Sequence, residues 1–339
     1  MIITVNGGVE PQDLGIVAMC ENILYGLMGW ENDPWIIFNR PEAYDAIVSS
    51  LQEFQDAGGK TIVDCSGMLV GRDAELLMNI ASSAKIHIVA STGFGSQDCI
   101  PGHFVNPLSR RRQWRDKSQG KIEVNMPVPD ADFLAGMFYD ELTKGMVAPG
   151  MRHIKSKAGI VKAASSWEQI TEIEELSLRG AALAAKRAGV AVITGGINQA
   201  RRQMDIMLEE GLEPDRIVIG HCDDGRAIDL ERDKEFAQQG AYVAYDHIGW
   251  EDASVPYGIP DERRLELVKA MVEAGFAERI VLSCNTIGYA IDVPQPKHSF
   301  GYLLQSFVPK LKKAGLSDSK IGTILIDNPK HILNGKTNL

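Results

Sequence analysis

The chain has 339 residues, 45% of them apolar, and its 45 acidic against 35 basic residues give a formal net charge of −10. That length suits two ordinary domains or one large α/β barrel. The acidic balance argues against a nucleic-acid partner. No apolar run approaches the roughly 18 residues of a membrane helix, and the N-terminus lacks a secretion signal. The five cysteines form no C-x-x-C pair, which predicts neither a disulfide framework nor a structural zinc site. We therefore expect a cytoplasmic protein with reduced thiols.

Eight short runs rich in Val and Ile alternate with longer helical patterns along the whole chain. The predicted strands cover residues 16–19, 61–64, 87–91, 159–162, 191–194, 217–221, 242–245 and 280–283. Their apolar residues are continuous rather than alternating, which indicates a sheet buried on both faces. Eight strands each followed by a helix predict an α/β protein, a single (β/α)8 TIM barrel spanning residues 1–339. A doubly wound open sheet is the alternative, but no Gly-x-Gly-x-x-Gly follows a strand.

Two regions depart from the regular alternation. A long region near residues 93–157 follows the third strand, and we predict that it holds a helix at roughly 130–144 and an extended loop. Long loops on this face of a barrel usually shape the pocket. Residues near 318–339 are predicted to form a C-terminal helical tail.

Two side chains, Lys162 and His221, stand near the carboxyl ends of predicted strands. In a barrel of parallel strands that end carries the chemistry. Both residue types act in catalysis and metal binding, so they mark the candidate site.

Several segments resemble the phosphotriesterase family of the amidohydrolase superfamily. They lie at residues 13–16, 71–73, 158–162, 205–211, 219–223, 240–249 and 327–329. The resemblance runs in order from about residue 10 to residue 330. It implies a (β/α)8 hydrolase, commonly a homodimer, with two divalent metals, usually zinc, bridged by a carboxylated lysine and a hydroxide.

The resemblance also implies six metal-ligand positions, of which Lys162 and His221 keep the family's residue types. The other four positions hold Cys20, Asn22, Gly195 and Asn285. Glycine offers no ligand atom, and neutral amides are weak partners for zinc. We therefore expect the carboxylated-lysine binuclear centre to be degraded or absent. We expect either no cofactor or one weakly bound divalent metal, for which zinc is a possible identity. Its ligands would be Lys162 and His221, with or without Cys20.

Several functions remain open for the candidate catalytic residues Cys20, Lys162 and His221. The first is a hydrolase acting on a small-molecule ester, lactone or related bond. Cys20 could be the nucleophile of a metal-free enzyme with His221 as base or proton donor, or Lys162 could form a Schiff base. The rival class is a non-catalytic barrel that binds a small molecule. The residues expected to line the pocket are Asn22, Gly195, Asp246, His247, Trp250, Asn285 and His298.

Overall fold

The computed structural model describes residues 1–105, 111–116, 120–125, 129–148 and 152–335, with side chains outside 106–128. The strands are β1 (Ile2–Thr4), β2 (Gly7–Val9), β3 (Ile16–Gly26), β4 (Gly59–Asp64), β5 (His87–Phe94), β6 (Arg111–Asp116), β7 (Gly120–Asn125), β8 (Val147–Ala148), β9 (Arg152–His153), β10 (Ile160–Ala164), β11 (Val192–Gly195), β12 (Ile217–Ile219), β13 (Tyr242–Tyr245), β14 (Ile280–Leu282) and β15 (Ile287–Ile291). The α-helices are α1 (Arg40–Asp56), α2 (Ala74–Ala84), α3 (Gly102–Val105), α4 (Ala131–Thr143), α5 (Glu172–Ala188), α6 (Ala200–Glu209), α7 (Leu230–Gln239), α8 (Asp261–Glu273), α9 (Val308–Lys313), α10 (Asp318–Gly322) and α11 (Asn328–Leu333).

The central sheet is parallel and contains all eight predicted strands. Its order is β14-β13-β12-β11-β10-β5-β4-β3-β15. The ninth strand, β15, was not predicted; it runs parallel to the second half of β3. Helices follow the strands and cover the outer face of the sheet, as a parallel sheet buried on both faces requires.

Hydrogen bonds join β3, which lies next to the edge strand β15, to the segment that follows β14, the strand at the other edge of the sheet. The Cys20 amide donates to Ser283 Oγ at 2.8 Å, and the Asn285 amide donates to the Cys20 carbonyl at 3.0 Å. The buried Glu21 carboxylate accepts from Ser283 Oγ and from the amides of Cys284 and Thr286. These bonds bring the carboxyl ends of the first and last barrel strands together.

The pairing of β3 with β4 is irregular between Ala18 and Glu21. A bulge of this kind interrupts the alternation of side chains between the two faces of a strand. Met19 and Cys20, although adjacent, consequently both belong to the apolar cluster inside the barrel, together with Cys65. The same cluster includes Ile2 from the N-terminal hairpin and Leu333 from α11, which pack at the end of the barrel opposite the site.

Two helices show how local sequence sets the layer around the sheet. Asp130 caps α4, which covers most of the predicted 130–144 helix, by accepting from the Phe133 amide. The Glu174 carboxylate accepts from the Thr171 backbone amide at 2.8 Å, which satisfies a free N–H at the start of α5. A Cβ at Gly180 of α5 would lie 2.8 Å from Leu134 Cβ, so glycine lets α5 approach α4 closely.

Parts of the two irregular regions fall outside the described residues. These are residues 106–110, 117–119, 126–128 and 149–151 of the long region, and residues 336–339 of the tail. The described tail contains α10 and α11. Within the described ranges, none of the helices has the length and apolar character needed to cross a membrane.

Candidate active site

A cavity of about 420 Å³ opens at the carboxyl ends of the barrel strands. Its floor contains Asn22 from β3, Lys162 from β10, His221 after β12 and Asn285 after β14. Its walls come from the loops beyond these strands. The structure therefore brings the two most informative sequence positions, Lys162 and His221, into one site.

His221 and Asp246 form a hydrogen-bonded pair beneath this cavity. His221 Nδ1 lies 2.9 Å from Asp246 Oδ1, which also accepts the His221 backbone amide at 2.9 Å. Burial alone would lower the pKa of His221, but the charge of Asp246 and this hydrogen bond outweigh it and raise the pKa above its usual value. Because a carboxylate only accepts, the proton belongs on Nδ1 of the neutral ring, and Nε2 carries the free lone pair.

The position of the His221 ring depends on its backbone and on Gly195. His221 lies just beyond β12 with φ of 62°, a conformation that L residues rarely adopt. A Cβ at Gly195 would lie 3.3 Å from His221 Nε2. The absence of a side chain at Gly195 thus leaves space beside the nitrogen that has the free lone pair.

Asn22 and Asn285 are bonded to each other. Asn22 Nδ2 donates to Asn285 Oδ1 at 2.7 Å. Asn285 also has a positive φ of 45°, and its Nδ2 donates to none of the described residues. The pair therefore presents an amide N–H₂ group to the cavity.

Lys162 is the cation of the floor. Among the described residues its ammonium has no ion pair and no hydrogen-bond partner, although it is only partly exposed. A Cβ at Gly67 would lie 3.4 Å from Lys162 Cδ, so the stem of the lysine packs against the backbone of the turn after β4.

A buried ion pair supports the residues after β13. Asp223 and Arg264 are both fully buried, with Arg264 Nε 2.8 Å from Asp223 Oδ2. Asp223 also accepts the backbone amides of Asp246 and His247. Burial alone would raise the pKa of Asp223, but His247 and Arg264 hold it well below its usual range. The pair thus fixes the backbone that carries Asp246.

Cys20 lies inside the barrel rather than on the cavity wall. Its side chain is buried among apolar residues and next to Cys65. The hydrogen bond with Cys65 and burial raise the pKa of the Cys20 thiol well above its usual value. A buried thiol that stays protonated is a poor nucleophile and a poor metal ligand.

Of the residues expected in the pocket, Asn22, His247, Trp250 and Asn285 line the cavity. Gly195 and Asp246 lie directly beside His221. His298 stands behind Trp250, with ring centroids 5.2 Å apart, and burial lowers its pKa to about 4.

The aromatic wall includes residues that the sequence did not single out. Tyr257 stacks on His247 at 4.6 Å between centroids and meets Trp250 edge-on at 5.2 Å. The Arg226 guanidinium lies 3.8 Å above the Trp167 ring. Trp167 follows β10 and Tyr257 lies in the loop after β13. Their position after the end of a strand was the one sequence feature that could have indicated a place in the cavity wall.

One group of three candidate metal ligands lies close together in the described part of the chain. His221, Asp246 and His247 place their ligand atoms within 4.8 Å of one another. Asp246 Oδ1 is already used by two N–H groups of His221, whereas Asp246 Oδ2 and His247 Nδ1 are buried without a hydrogen bond.

The chain has the fold class of the TIM-barrel enzymes, a parallel barrel with a polar cavity at the carboxyl ends of its strands. The sequence profile of the phosphotriesterase family matches residues 1–333, so the chain belongs to the phosphotriesterase family and is hydrolase-like. This confirms the family resemblance and the predicted fold class.

Three relatives with different names are similar to this chain over most of its length. It is 27% identical to a phosphotriesterase homology protein of Mycobacterium tuberculosis, over 97% of this chain and 96% of the relative. It is 26% identical to an aryldialkylphosphatase of Saccharolobus solfataricus, over 95% and 96%. It is 29% identical to a phospho-furanose lactonase of Mycoplasmopsis synoviae, over 97% and 90%.

Proposed function

We propose that the chain hydrolyses small-molecule esters or lactones with a water molecule activated by His221 and Asp246 instead of a binuclear metal centre. The observation that carries this proposal is the 2.9 Å contact between His221 Nδ1 and Asp246 Oδ1. It leaves Nε2 at the cavity, where a general base is needed. The lactonase and phosphatase among the relatives support a hydrolytic reaction.

The donor set does not fit two zinc ions. Asn22 and Asn285 are hydrogen-bonded to each other, and Gly195 supplies no ligand atom. Cys20 is buried away from the cavity as a thiol. A single, weakly held divalent ion near His221 is compatible with this reaction, which does not require it.

The reaction follows from the positions of the residues. Water attacks the carbonyl carbon while His221 Nε2 removes its proton, and Asp246 stabilises the imidazolium that forms. Asn285 Nδ2 supplies a hydrogen-bond donor for the oxyanion. The carbon–oxygen bond to the leaving group then breaks, and His221 returns the proton to the departing alkoxide. The product is a carboxylic acid and an alcohol, or a hydroxy acid from a lactone.

The test is hydrolysis of a panel of aryl esters and lactones by protein stripped with a chelator. We expect turnover to persist after metal removal and to fall by about 10²–10⁴-fold in His221→Gln. His331→Gln is the matched control, since His331 is exposed on α11 outside the cavity. Activity that disappears on chelation and returns with zinc would contradict the metal-free reaction. Equal activity of His221→Gln and the wild type would exclude His221 as the base.

Homodimeric assembly and a cytoplasmic location stay predictions. So do the roles of Cys20 and Lys162 in catalysis, which the proposed reaction does not use.

A further inference from the structure

We infer that the substrate carries an ionised carboxylate, which binds Lys162 at the floor of the cavity, beside a flat apolar portion held by the aromatic wall. The inference rests on the proposed function and specifies its substrate class.

The charges that line the cavity leave one cation without a counter-charge. Asp224 accepts from Arg226 twice, at 3.0 Å from Nε and 2.7 Å from Nη2, so these two side chains neutralise each other. Asp246 lies beneath the floor and is bonded to His221. Lys162 therefore remains the uncompensated charge among the described residues that line the cavity.

The charge of Lys162 acts on the buried carboxyl of Asp64, but the two side chains form no ion pair among the described residues. Asp64 is buried beside β3, where its Oδ1 accepts from the Ile23 amide and Ser66 Oγ. Burial raises the pKa of Asp64, and the charge of Lys162 only partly opposes that rise. The ammonium is thus left available to a ligand.

The neighbouring polar group on the floor is also a donor. Asn285 Nδ2 faces the cavity without a described partner, whereas the Asn285 oxygen is occupied by Asn22. Asn285 Nδ2 is the donor assigned to the oxyanion, so the ammonium of Lys162 is left for the charged group of the substrate, and one ammonium suits a monoanion. A phosphate dianion is typically bound by several cations or by a run of backbone amides, neither of which lines this floor in the described part of the chain.

The aromatic wall is held in place before any ligand binds. Trp250 Nε1 donates to the Cys284 carbonyl at 2.7 Å, and Tyr257 is packed between His247 and Trp250. Trp167, which also lines the cavity, is held by the Arg226 guanidinium 3.8 Å above its ring. Rigid aromatic faces in a cavity of about 420 Å³ favour a flat apolar group on a small ligand.

Two substrates of nearly the same shape that differ in charge test the inference. They are 4-nitrophenyl 4-carboxyphenylacetate, whose carboxylate is too far from its own ester to attack it, and the matching neutral carboxamide, 4-nitrophenyl 4-carbamoylphenylacetate. The wild type is expected to prefer the charged ester at least about tenfold in kcat/KM. Lys162→Met should raise KM for the charged ester about 10- to 100-fold and leave KM for the neutral carboxamide nearly unchanged. Lys313→Met, an exposed lysine on α9, is the matched control.

Inhibition by phenylacetate and phenyl phosphate distinguishes the two kinds of anion. We expect phenylacetate to inhibit more strongly, and stronger inhibition by phenyl phosphate would overturn the carboxylate assignment. Equal kcat/KM for the two esters in the wild type would overturn the inference while leaving the hydrolase intact. This comparison needs no variant, so it holds even if Lys162→Met does not fold.

Binding without turnover separates failure of the inference from failure of the proposed function. Calorimetry with phenylacetate and the His221→Gln variant should show binding, and the Lys162→Met variant should lose it. If no ester is hydrolysed but this difference is found, the proposed hydrolase fails and the carboxylate site stands. If phenylacetate binds both variants equally, the carboxylate site fails.

Discussion

His221 and Asn285 both hold a left-handed backbone conformation, with φ of 62° and 45°, at the ends of barrel strands. Such conformations cost about 1–3 kcal/mol for residues other than glycine and persist where the surroundings fix them. Asp246 provides that support for His221, because its Oδ1 accepts both the backbone amide and the ring nitrogen. The carboxylate therefore sets the position of the base as well as its protonation.

Replacing Asp246 by asparagine tests this role of the carboxylate. Asp246→Asn keeps an acceptor oxygen of the same size but removes the charge that stabilises the imidazolium. We expect kcat to fall by about 10²–10⁴-fold with a small change in KM, measured by steady-state kinetics on the best ester. Asp252→Asn, an exposed carboxylate after the same strand, should behave as the wild type. An unchanged kcat in Asp246→Asn would rule out the dyad.

The segment between β13 and α8 forms one wall of the cavity and depends on Arg264. This fully buried guanidinium donates to the carbonyls of Trp250, Tyr257 and Ile259 and to Asp223. Asp223 in turn accepts two backbone amides at the end of β13. The ion pair thus links the loop, the strand end and α8.

Asp223→Asn should destabilise the protein because it leaves the buried Arg264 without its principal counter-charge. We expect the free energy of unfolding to fall by about 3–5 kcal/mol, measured by urea denaturation. Glu266→Gln on the same helix removes an exposed ion pair with Arg263 and should cost less than about 1 kcal/mol. A loss for Asp223→Asn as small as that of the control would show that Arg264 finds full compensation elsewhere.

The sequence predicted the elements of the barrel better than the contacts between them. Continuous Val and Ile runs located the eight strands, since burial on both faces leaves a local signal. The bulge in β3 has no such signal, which is why the place of Cys20 inside the barrel required the structure. The bond between His221 and Asp246 joins residues 25 positions apart, and Tyr257 reaches the cavity from a long loop. Such contacts arise only when the whole chain is folded.

At the scale of the molecule, hydrogen bonds and buried charges hold the ring of strands together. The first and last barrel strands are joined at Glu21, a buried carboxyl whose pKa burial raises to about 8. On the other side, Arg72 after β4 is bonded to Glu141 of α4 through two contacts of 2.7 Å. Arg72 also donates to the Ser91 carbonyl of β5, and Glu141 accepts the Val147 amide. This pair connects the barrel to α4, in the later part of the long region.

The Arg72–Glu141 pair predicts how stability depends on pH. Burial alone would raise the pKa of Glu141, but the charge and hydrogen bonds of Arg72 lower it below its usual value. A lowered pKa in the folded state means that the stabilisation is complete above the unfolded pKa, about 4.3, and is lost as pH falls through the folded pKa. Glu141→Gln leaves Arg72 buried without its partner, so it should cost about 3–5 kcal/mol at pH 7.

The difference in free energy of unfolding between the wild type and Glu141→Gln should therefore be largest at neutral pH and shrink progressively below pH about 4. Urea denaturation at a series of pH values measures it. Glu266→Gln provides the baseline, because the exposed Arg263–Glu266 pair has side chains that are 53% and 64% accessible. A difference that stays constant down to pH 3 would mean that Glu141 binds its proton with the same pKa in the folded and the unfolded state, which would contradict the lowered pKa. It would assign the cost of the variant to lost packing and hydrogen-bond geometry rather than to charge.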